Sequence, residues 1–72
     1  MSTAKQILNF IIKEKARGNT FQELNIQMKI MLKGVNIKGI LEDLIPDSQN
    51  LIDKLKEIAQ EFDVDLKKMA TC

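Results

Sequence analysis

Apolar residues along this chain return every three or four positions and never alternate for long, a period that predicts helices and no sheet. Ala4, Ile7, Leu8, Ile11 and Ile12 mark one face of a first helix, expected over about residues 4–17. Thr3-Ala4-Lys5-Gln6 has capping-box spacing at its start, and Gly18 offers a left-handed residue at its end. Thr20-Phe21-Gln22-Glu23 repeats the box and opens a second helix. Its main stripe is Phe21, Leu24, Met28, Met31 and Val35, with Leu32 alongside. Lys33-Gly34 closes it, and in the common glycine stop Ile30 packs on Val35.

Asn36 is the expected cap of a short third helix carrying Ile37, Ile40, Leu41 and Leu44. Gly39 weakens that helix by about 1 kcal/mol relative to alanine, and Pro46 ends it. Asp47 or Ser48 caps a fourth helix with its stripe at Leu51, Leu55, Ile58 and Phe62, flanked by Ile52 and Ala59. Asp63 to Asp65 form a break, and Leu66 to Met69 a last turn. The expected architecture is all-α: one domain over residues 1–72, a compact bundle of four short helices with a short fifth helical turn at the C-terminus.

One stretch departs from the pattern. In Asn25–Lys33, "NIQMKIMLK", Ile26 and Ile30 lie about 200° and 240° round the helix from Leu24, on the side of Lys29 and Lys33. Phe10 is similarly displaced from the stripe of the first helix, with Ile7 bridging the gap. Two arrangements accommodate them. Either the second helix packs on both sides, so that Ile26 meets the first or fourth helix, or the displaced residues form an exposed patch. In the second case Phe10, Ile26 and Ile30, rimmed by Lys29 and Lys33, make an apolar surface for a protein partner or a second copy.

Composition changes this picture little. With 44% apolar residues in 72, the chain has the burial material of a folded domain, though a core of this size is marginal without a partner or very good packing. The net charge of +1 conceals a split, since residues 1–41 carry +5 and residues 42–72 carry −4. The basic second helix of one chain is thereby matched to the acidic fourth helix of another. Cys72 is the single cysteine, so no disulfide forms within the chain. "ILNFII" at residues 7–12 is too short for a signal-peptide core or a membrane span, and the expected setting is cytoplasmic, with no membrane association.

Candidate chemistry narrows by absence. There is no histidine, tryptophan or tyrosine and no glycine-rich phosphate loop, so neither a Ser-His nor a Cys-His nucleophile pair can be assembled. "EDLIPD" and "DVD" lack the ligand spacing of a calcium loop. No catalytic residue, cofactor or metal site is expected. The alternative to a protein partner is nucleic acid. "IAQEFDVDLKKM" echoes the second half of a helix-turn-helix, with Ala59 in the first helix, Asp63 at the break and Met69 at a core position. Lys13, Arg17, Lys29 and Lys33 would align as a phosphate-tracking row if the backs of the first two helices adjoin. The main expectation is a non-enzymatic helical interaction or regulatory module, acting through the second helix and able to form a homodimer.

Overall fold

Four α-helices and a closing 3-10 turn follow one another in the computed structural model, which describes residues 3–71 and side chains through residue 69. They are α1 (Thr3–Ala16), α2 (Thr20–Leu32), α3 (Ile37–Leu41), α4 (Gln49–Glu61) and the 3-10 helix Leu66–Thr71. No strand occurs among the described residues, and the all-α bundle expected from periodicity is the fold observed.

The centre of the bundle is α1. It packs against all the other elements, while α2 and α3 also touch each other. Ala4, Ile7, Leu8, Ile11, Ile12 and Ala16 are all buried, a stripe wide enough to receive helices from more than one direction. Leu55, Ile58 and Ala59 of α4 come in from one side, and Ile37 and Ile40 of α3 close the core. Phe10, Leu51, Ile52, Phe62 and Met69 are half-buried around its margin.

The helix ends follow the sequence in position but not always in partner. Thr3 and Thr20 are first residues of their helices rather than caps. The cap of α2 is Asn19, whose Oδ1 accepts from the amides of Phe21 (2.9 Å) and Gln22 (3.2 Å). For α1 the acceptor is remote. Asp47, between α3 and α4, takes the amide of Thr3 at 2.8 Å on Oδ2 and that of Ala4 at 3.3 Å on Oδ1. A carboxylate is well placed at the positive end of a helix dipole, and this one ties the first helix to a loop more than forty residues away. Ser48 is left to cap α4, its Oγ accepting from Leu51 at 3.2 Å.

Asn36 caps α3 as expected, accepting from Gly39 at 3.0 Å. That helix stops at Leu41, earlier than Pro46, because Asp43 turns left-handed (φ 58°). The chain then folds back so that the amides of Leu44 (2.8 Å) and Ile45 (3.3 Å) both donate to the Gly39 carbonyl. Leu44, expected on the buried stripe, is exposed, and Ile45 packs on the core in its place. This reversal explains Gly39. A Cβ there would lie 2.5 Å from Cδ1 of Ile45 and 2.9 Å from its Cγ1.

Asp63 (φ 58°) breaks α4 where expected. The Val64 amide reaches back to the Ala59 carbonyl at 2.8 Å, and both side chains are buried, the pattern of a Schellman stop with aspartate in the glycine position.

Two substitutions test this wiring by urea unfolding. Gly39→Ala, which helix propensity alone would make stabilising by about 1 kcal/mol, is expected instead to cost about 1–3 kcal/mol through overpacking against Ile45. Asp47→Ala is expected to cost about 1 kcal/mol through loss of the α1 cap, although it lies in neither α1 nor α4.

Candidate interaction surface

The structure turns α2 over relative to its main stripe. Ile30 is fully buried and Ile26 is 7% exposed, both within the core cluster. Phe21 (74%), Leu24, Met28, Met31 and Leu32 (85%) face outward. The apolar patch expected at Phe10, Ile26 and Ile30 is therefore not a surface. Phe10 is half-buried at the core margin, and the two isoleucines are the contact by which α2 joins the bundle. Nor is the larger apolar face of α2 buried, since it borders α3 only along one edge and stays more than half exposed.

Local geometry accounts for the inversion. Gly34 adopts φ 92° and its amide donates to the Met31 carbonyl at 2.9 Å, so the chain leaves the helix axis there. Val35, which helical extrapolation puts beside Leu24, is thereby carried into the core with Ile30. The expected Ile30–Val35 association at the helix end agrees with their shared burial.

The two lysines separate. Lys29 is exposed, whereas Lys33 places Nζ 2.8 Å from Oε1 of Glu61 and 5.9 Å from the centre of the Phe62 ring. That contact links the ends of α2 and α4 and is too exposed to add much stability. Arg17 lies in a small polar cleft of about 180 Å³ that it shares with Glu14, Asp63, Asp65 and Lys68. Of the cationic row, Arg17 and Lys33 thus lie beside carboxylates, while Lys13 and Lys29 are exposed. The segment that would serve as a recognition helix is a six-residue 3-10 turn (Leu66–Thr71). Asp65, just before it, accepts from the Lys67 amide at 2.9 Å on Oδ1, and Met69 packs on the core margin as the motif would have it.

The outward face of α2 is shaped. Leu24, Met28 and Met31 form one wall of a groove of about 600 Å³, and Ile37 and Leu41 of α3 form the other. Gln27, Lys38 and Glu42 supply its polar margin. On the opposite flank of Leu24 and Met28, Phe21 and Leu32 stand out as a ridge that does not line the groove. At about 100° per residue, the five exposed side chains span roughly 100° of the helix, centred on Met28. An apolar face of that width is what a helix normally turns toward a core.

Sequence reasoning placed the exposed apolar residues of α2 on the wrong side of the helix. Residue type carried the missing signal: none of the ten isoleucines is exposed, whereas Met28 and Met31 both are. Among the described residues there is no cluster of three or more acids or cysteines able to hold a metal ion, and no helix is long and apolar enough to cross a membrane. Cys72 lies outside the described residues.

The orientation of α2 is open to direct test by unfolding dilute protein. Ile30→Ala is expected to cost about 2–5 kcal/mol, as for a buried large-to-small change. Leu24→Ala and Met31→Ala should stay within about 0.5 kcal/mol of the parent; the reverse ranking would restore the stripe to the core. Compared with models of known protein families, with curated proteins and with solved structures, the chain matches none.

Proposed function

We propose that this protein is a non-enzymatic interaction module that presents the outer face of α2, with the groove it shares with α3, to an apolar protein surface. The observation that carries the reading is the exposure together of Phe21, Leu24, Met28, Met31 and Leu32 on a single helix face. Scattered exposed leucines need no explanation, but a contiguous apolar patch with a polar rim does. Methionine suits such a surface, because its unbranched, polarisable side chain adapts to the shape of a partner. The groove is elongated by the helix that walls it, and an amphipathic helix presenting residues at i, i+3, i+4 and i+7 matches that form.

A protein partner also fits the charges better than nucleic acid does. Phosphate recognition draws on unopposed Lys and Arg, whereas Lys33 is paired with Glu61 and Arg17 shares its cleft with three acids. The helical turn after Asp63 presents only Lys67 and Lys68. The cytoplasmic setting expected from the lone thiol belongs to the same proposal.

The test uses protein labelled at the methionine methyls, titrated with a panel of amphipathic helical peptides and with itself. Resonances of Met28 and Met31 are expected to shift while that of Met69, at the core margin, stays in place. Leu24→Ser with Met28→Ser should abolish the response and leave the unfolding midpoint nearly unchanged. Silence of Met28 and Met31 toward every peptide and toward the protein itself would overturn the reading.

A further inference from the structure

We infer that the groove between α2 and α3 takes an amphipathic helix that brings an acidic side chain to Lys38 and a basic one to Glu42. The inference rests on the interaction reading above and deepens it by giving the partner's charges. Two unpaired charges that the fold itself disfavours carry it.

Among the residues lining the groove, Lys38 and Glu42 alone are charged, and the α2 side contributes Gln27 as its polar residue. Both charged side chains are exposed. Among the described residues, neither makes an ion pair or a side-chain hydrogen bond.

Their places on α3 run against the helix. Lys38 is the second residue after the Asn36 cap, in the first turn, and Glu42 is the C-cap. A helix favours anions at its start and cations at its end, so each charge stands at the end that disfavours it. Nor do they suit each other. At i, i+4 a glutamate before a lysine pairs better than the reverse, and here the lysine comes first. Nothing in the folding of α3 accounts for this pair, whereas a partner seated in the groove does.

Such a partner takes water from both groups as it covers Leu24, Met28 and Met31. A charge desolvated without an opposite charge beside it is costly. A partner of uniform charge would satisfy one group and oppose the other, so the pair selects against it. Four residues of α3 span about 6 Å along its axis, the spacing of i, i+4 residues on a second helix lying alongside. An acid and a base four apart, bordering an apolar face, answer both charges with one turn of partner.

The full chain, labelled at the methionine methyls, is titrated with four helical peptides that share one apolar face. They differ at two bordering positions four apart: acid with base, two acids, two bases, or two glutamines. The Met28 and Met31 resonances report occupancy. The acid-with-base peptide is expected to bind the parent at least about fivefold more tightly than either like-charged one. Lys38→Glu should transfer the preference to two bases, and Glu42→Lys to two acids. Glu57→Lys changes the net charge as Glu42→Lys does, but on the exposed side of α4, and should leave the parent's ranking in place. Exchanging the charges, Lys38→Glu with Glu42→Lys, should raise the urea midpoint, since both then suit the helix. A lowered midpoint would show that the pair serves the fold, and overturns the inference. So does a ranking that neither single substitution moves while the methyls still respond to peptide; the face then remains an interaction site for a partner of other charge. A response to the protein itself and to no peptide also overturns it, in favour of a second copy. With no response to either, the interaction reading falls as well.

Discussion

Everything in this fold is arranged around the burial of α1. Six of its fourteen residues are out of solvent, and every other element packs against it. A helix buried over so wide an arc requires neighbours on several sides, and 72 residues can supply them only as short segments. Hence α3 has five residues, and the last element is a single 3-10 turn. Hence also the remote cap. With the start of α1 beside the loop that ends in Asp47, one carboxylate satisfies two of its leading amides. The same arrangement lets Ser48 begin α4 immediately afterwards.

Much of this was legible in the chain because it is local. Asn36, Ser48, Gly34 and Asp63 act within four or five residues of themselves, and helix positions follow from them. What could not be read locally is where distant backbone arrives. Gly39 looks like a weakness in a short helix until Ile45 is seen lying across it. Asp47 looks like the cap of the helix that follows it. Both meanings depend on the chain reversing after Asp43, and a positive φ at an aspartate is a choice that sequence permits without demanding.

The orientation of α2 failed for a different reason. Periodicity counts apolar residues and gives the core to the larger stripe, here five residues against two. That rule assumes that the single chain is the unit that buries its apolar surface. Burying a large apolar side chain is worth about 1.5–3 kcal/mol, so leaving five exposed forgoes several kcal/mol in a domain whose size already makes it marginal. That outward face, shaped by a groove, is the surface on which the proposed interaction rests.

The division of residue types along α2 points the same way. Among the described residues, eight of the fifteen buried apolar ones are isoleucines, and none is a methionine. Branching at Cβ leaves isoleucine essentially one χ1 well in a helix, so Ile26 and Ile30 lose little side-chain freedom when they pack and hold one geometry against α1. Methionine, unbranched, keeps more rotamers. That is a poor property for an interior that must be unique, but a useful one for a surface that must be exposed at one time and covered at another. The inner face of α2 is built of residues that specify a single packing, and Met28 and Met31 give its outer face two side chains that tolerate several.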